Sequence, residues 1–172
     1  MTPETLDILA RLVEALKRQV SVGECPVMVA LDGVRPLTMS DYDYQRDDVA
    51  AASFEQRAAA KARETGATRW VIAVPQVWLV AGKVVATRAV SNLPLRPGES
   101  EAITWMSFDN AEGVDYGRVP FTRGPSGKAV FGDIEIVIAQ ASPTPSMPGY
   151  TMLRLTAGDE TTSEGTEPGS PR

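Results

Sequence analysis

The sequence predicts an α+β fold: a single domain with one mostly antiparallel, strongly twisted sheet of about six to eight strands and two helices packed on it. Three observations predict it. Arg69–Val90, RWVIAVPQVWLVAGKVVATRAV, is the most apolar stretch of the chain. Six further short apolar runs are separated by Gly, Pro and Asp punctuation. Only two segments, one at the N-terminus and one after Asp47, carry helical patterning. With this many short strands, the sheet can also close into a partial barrel. Residues 1–156 are expected to form the domain and 157–172 a disordered acidic tail, since GDETTSEGTEPGSPR contains no large apolar side chain.

In chain order, Thr2 is placed to cap the first helix, Pro3 suits its first position, and Glu4 and Asp7 favour the positive end of its dipole. Leu6, Leu9, Leu12, Val13, Leu16 and Val20 share one face, so the helix docks either on its own sheet or on the same helix of a second copy. After Gly23, Pro26–Leu31 reads as a buried strand, Asp32-Gly33 as a two-residue hairpin turn, and Val34–Met39 as the return. Pro36 confines that return to an edge or a bulge. Cys25, just before the strand, reads as a small buried residue; no histidine exists to activate it and Glu24 would raise its pKa.

Asp47 or Asp48 caps the second helix, which ends at Gly66. Val49, Ala52, Phe54, Ala59 and Ala60 form its packing surface, and Glu55, Gln56, Arg57, Lys61, Arg63 and Glu64 its solvated side. Strand, helix and following strand make a βαβ-like unit.

Arg69–Val90 divides at Ala81-Gly82 into two strands, of which the first is apolar on both faces and so covered on both sides. Pro75 marks a bulge or an unpaired point, and the second strand, carrying Arg88, lies towards an edge. Arg96-Pro97-Gly98-Glu99 suits a type II turn. Strands follow at Ala102–Phe108, at Tyr116–Arg123 and at Lys128–Ala139, the last with Ile134, Ile136 and Ile138 on a buried face. Ser142–Gly149 is an extended crossing to a final strand, Tyr150–Thr156.

The net charge of −5 and a pI near 4.8 disfavour general affinity for nucleic acid or anionic membrane. The apolar runs are too short for a membrane helix, and the N-terminus lacks the pattern of a signal peptide. One cysteine fits a reducing cytoplasm. The sequence contains no histidine, which excludes Ser-His-Asp and Cys-His catalysis and imidazole zinc sites. Neither GxGxxG nor GxxxxGK[ST] is present, and no cofactor is expected.

Ser40–Asp48, SDYDYQRDD, is the conspicuous cluster of ionisable and aromatic residues. Asp41, Tyr42, Asp43, Tyr44 and Arg46 form the candidate binding surface, because Tyr and Arg dominate interface hot spots. Asp41, Asp43 and Asp47 could instead hold a hard cation through oxygen ligands, although the spacing matches no known loop and no metal site is assigned. Arg88, Arg118 and Arg123 could converge on an anion; Trp70, Trp78 and Trp105 belong to the core. The leading expectation is a non-enzymatic protein that binds a protein partner or itself, as a homo-oligomer. The alternative is a carboxylate-based, metal-dependent hydrolase.

Overall fold

The computed structural model describes residues 1–82, 84–91 and 93–158. The elements are α1 (Pro3–Ser21), β1 (Val27–Asp32), β2 (Leu37–Asp41), α2 (Asp48–Glu64), β3 (Arg69–Ala81) and β4 (Val84–Ala89). After these come β5 (Glu99–Asp109), β6 (Gly113–Arg123), β7 (Ala129–Phe131), β8 (Glu135–Ile138) and α3 (Tyr150–Thr156). All strand pairs are antiparallel, in the order β2-β1-β3-β5-β6-β7, with β4 beside β3 and β8 beside β6. The expected α+β architecture is therefore present, and the sheet curls into a half-barrel.

β3 is the axis. Its first part, Arg69–Ala73, pairs with β1, and its last, Gln76–Ala81, pairs with β4 along the same edge. Pro75 sits where the partner changes. With no N–H to offer, proline is tolerated there and not in a continuous ladder. β6 repeats the arrangement: β8 pairs with Tyr116–Arg118, β7 with Phe121–Arg123, and Pro120 lies between.

β3 is apolar on both faces because both faces are covered. Leu9, Leu12, Val13, Leu16 and Val20 of α1 pack with Val71, Ala73, Ile103, Trp105 and Val119. On the other face Phe54, Ala58, Ala59 and Ala62 of α2, with Met152 of α3, pack with Trp70, Ile72, Val74 and Met106. All three tryptophans are core residues. Thr2 caps α1 as expected, its Oγ1 accepting the Thr5 N–H. Leu6, however, is half exposed and Ile8 takes its place in the buried stripe.

β2 and β3 run parallel with β1 between them, so β2-α2-β3 is a crossover unit. Asp47 caps α2, its Oδ1 accepting the Ala50 N–H at 2.7 Å. Two residues assigned to the packing surface, Val49 and Ala60, are exposed. Glu55, assigned to solvent, is buried.

Three further expectations are corrected. Asp32-Gly33 is not a two-residue hairpin: Leu31 pairs with Leu37 and a longer loop intervenes. Gly33 serves close approach instead, since a Cβ there would collide with the Thr65 carbonyl at the end of α2, where Val34 donates its N–H. The long strand Lys128–Ala139 is two short ones, broken opposite Pro120, and its isoleucines are not firmly buried: Ile136 and Ile138 are exposed. Tyr150–Thr156 is a helix, not a strand. The expected tail lies outside the described residues from position 159 on. No described helix is long and apolar enough to cross a membrane.

Candidate functional site

The helices leave one end of the sheet uncovered on each face, and each uncovered region is concave. On the α2 face lies a half-open cleft of about 1000 Å³. Its floor carries Gln76 of β3 and Tyr116 of β6; β4, from Val85 to Ala89, forms one side and Val137 and Ile138 of β8 another. The first turns of α2, with Asp47, Asp48 and Ala51, and the Thr144–Pro148 loop complete the wall. The curl of the sheet is what brings β4, beside β3, and β8, beside β6, to one mouth.

Each floor residue has a physical reason for its place. Tyr116 stacks on Trp78, ring centroids 6.1 Å apart, and burial pushes its phenol up to about 12. Trp78 is held by donating Nε1–H to Thr104 Oγ1 at 2.7 Å, and the Arg118 guanidinium covers its ring at 5.1 Å. Gln76 is different. Its Oε1 is buried with no hydrogen-bond partner among the described residues. An acceptor left in that state costs about 1–3 kcal/mol, which a donor in the cleft would recover once the Gln76 side chain turns towards it.

The wall is fixed by Glu55. Its Oε1 accepts the Tyr44 hydroxyl at 2.6 Å and the Gly149 N–H at 2.8 Å, and its Oε2 accepts the Met152 N–H at 3.1 Å. Burial, then the adjoining Glu55 charge and hydrogen bond, raise the Tyr44 pKa far above its ordinary value. One carboxylate thereby joins the segment before α2, α2 itself and the start of α3.

The side chains of Ser40–Asp48 do not all face the same way. Tyr44 turns inward and borders the cleft, whereas Tyr42 is exposed. Asp41 accepts the Asp43 N–H at 2.7 Å and pairs with Arg57 at 2.7 Å. Arg46 pairs with Asp47 at 3.0 Å and Asp43 at 3.6 Å. Among the described residues no three His, Cys, Asp or Glu side chains are grouped to hold a metal ion. The three arginines do not converge: Arg88 pairs with Glu99, Arg118 with Glu135 and Arg123 with Glu101.

A second cleft, of about 860 Å³ on the α1 face, is bordered by Cys25, Leu95, Glu101, Phe121 and Arg123. Cys25 is half-buried rather than buried. Burial raises its thiol pKa; Arg123 opposes this, and Glu101 and then Glu24 add to it, so the thiol form is favoured.

Local sequence pattern does not mark Gln76, Thr87 and Tyr116 as lining a common cleft. The available signal was one carboxamide inside an otherwise apolar run, Val71–Val80. No family model, curated protein or solved structure matches the chain.

Proposed function

We propose that this chain is a non-enzymatic binding protein whose ligand lies in the cleft between α2, β4, β8 and the Thr144–Pro148 loop. The observation that carries the reading is the unpartnered Gln76 Oε1 on the floor of that cleft. A cleft of this size, lined by Val85, Val137, Ile138 and Met147 together with polar side chains such as Gln45, Gln76, Thr87 and Thr144, has the dimensions of a ligand site. The polar groups around it are carboxylates, carboxamides, hydroxyls and the Arg88 guanidinium, which Glu99 already engages; the sequence has no histidine to serve as a base. Asp43 and Asp47 of the Asp-rich loop are engaged by Arg46 and Asp41 by Arg57, which favours binding over carboxylate chemistry.

The test is a fragment screen read by two-dimensional amide NMR on the full chain. Fragments carrying N–H or O–H donors are expected to shift the Gln76 side-chain amide together with the Thr87 and Ile138 backbone signals. Hits confined to other surfaces, with the Gln76 amide unmoved throughout, would sink the reading.

A further inference from the structure

We infer that the ligand of this cleft is an extended peptide segment of another protein, added as a strand to the free edge of β4 and carrying an Asn or Gln side chain that meets Gln76. This rests on the cleft being the binding site and adds the chemistry of its occupant.

The hairpin fixes the pattern. Ala81 pairs with Val84 across only two intervening residues, so this pair closes the ladder with hydrogen bonds and the bonding alternates from there. Ala86 and Arg88 therefore turn their backbone groups towards β3. Val85, Thr87 and Ala89 turn theirs outward, and no other strand among the described residues pairs with that edge. Their side chains share the cleft face with Val80, Trp78 and Gln76, their register partners. An edge with unpaired amides beside side-chain pockets is the arrangement that strand addition uses.

Gln76 supplies the selectivity. An added strand would lie two strand spacings, about 9.5 Å, from β3, with the small Ala89 between it and Gln76. Two carboxamide side chains span that gap and meet over Ala89, each offering the other one donor and one acceptor. An apolar side chain in that place would leave Gln76 Oε1 unpaired. With Asp47 engaged by Arg46 and Arg88 by Glu99, Asp48 on the rim and the overall charge of −5 favour a neutral or basic peptide over an acidic one.

A lone strand fits better than a second copy. β4 lines the cleft together with Asp48 and Ala51 of α2 and the Thr144–Pro148 loop, which crowd the space beside it. A second sheet would bring its own α2 and Pro-rich loop into the same space.

The experiment pans a phage-displayed library of random heptapeptides on the full chain, then measures fluorescein-labelled winners by polarisation. The enriched peptides are expected to alternate β-branched or apolar residues with polar ones and to carry Asn or Gln at one position. Thr87→Pro, which removes an outward N–H, should weaken them at least about tenfold, as should N-methylation of alternate peptide amides. The N-methylated peptide leaves the protein untouched, so it decides the matter even where the proline variant misfolds. Gln76→Leu should weaken the carboxamide peptide about tenfold and leave its leucine-substituted version unchanged. Equal binding to Thr87→Pro and to N-methylated peptide overturns the inference. So does an absence of enriched peptides, or a dimer that Thr87→Pro abolishes. Fragments that shift the Gln76 amide without any peptide binding would leave the cleft a ligand site and remove only the peptide. If neither fragments nor peptides occupy it, both readings fall.

Discussion

The carboxylate of Glu55 in α2 accepts the backbone N–H of Gly149 at 2.8 Å, a contact between residues 94 positions apart in sequence. It also accepts the Met152 N–H, so it does for α3 what a capping side chain does for most helices from the residue just before them. Gly149 itself offers no side chain to cap α3. The short helix therefore depends on α2 for its first turn, and the wall of the cleft depends on both.

Replacing Glu55 should loosen that wall in a graded way. Glu55→Ala leaves the Tyr44 hydroxyl and two N–H groups without their acceptor, and is expected to cost about 3 kcal/mol in urea unfolding. Glu55→Gln keeps Oε1, with its bonds to Tyr44 and Gly149, and loses only the Met152 bond, so its cost should be roughly half as large. Equal losses for the two variants would show that the hydrogen bonds are not what holds the segment.

Gly149→Ala tests the same junction from the other side. Gly149 has φ +89°, and a Cβ there would stand 2.8 Å from Ile72 Cγ2. Conformational strain and overpacking add, for an expected loss of about 2–4 kcal/mol. The near-ultraviolet circular dichroism of Trp70 should change with it, because Trp70 Nε1 donates to Thr156 at the end of α3. A variant as stable as the parent would mean that α3 can dock in another register.

Much of this fold is written in local pattern, and the cleft is not. The double-faced apolar run Trp70–Trp78 predicts a central, covered strand, and Thr2 and Asp47 announce their helices by residue type and position. Tyr150–Thr156 reads as a strand because seven residues cannot display a helical period, and what makes them helical is a carboxylate in another element. Glu55 reads as a solvated helix charge for the same reason: its partners are distant in sequence. Pro120 is the visible warning that no strand pairs continuously along that edge of β6, and so that Lys128–Ala139 is broken. The cleft draws residues from six segments, and only the curl of the sheet brings them together. Local periodicity carries no signal for that curl.

The pair Arg88–Glu99 gives a pH prediction. Hydrogen bonding from Arg88, and then from the Arg96 N–H, lowers the Glu99 carboxyl from the usual 4.5 to about 2. A folded-state pKa below the unfolded one means that the pair's contribution is complete above about 4.5 and is lost as pH falls from there through about 2. The carboxyl carbon of Glu99 should titrate near 2 by NMR, and Arg88→Gln should move the midpoint back towards the ordinary value. A midpoint near 4.5 in the parent chain would mean that the pair does not form in solution.

Pro75 yields the prediction that runs against strand propensity. Counted back from the Ala81/Val84 pair, odd-numbered residues of β3 turn their amides to the edge shared by β1 and β4. At position 75 that edge has no partner, because β1 ends opposite Ala73 and β4 opposite Gln76. Pro75 is buried, so any other residue would place in the gap an N–H that no strand accepts, and the nearby Gln45 Oε1 is already taken by the Val90 N–H. Pro75→Val, favoured by volume and by β propensity, is therefore expected to lose about 1–3 kcal/mol in urea unfolding. Pro120 occupies the equivalent break in β6 but is only half-buried, so solvent can reach a new N–H there. Pro120→Val should accordingly stay within about 0.5 kcal/mol of the parent. A stabilised Pro75→Val variant would mean that the two partner strands close the gap between them, and the change of partner at Pro75 would then be the wrong account of this strand.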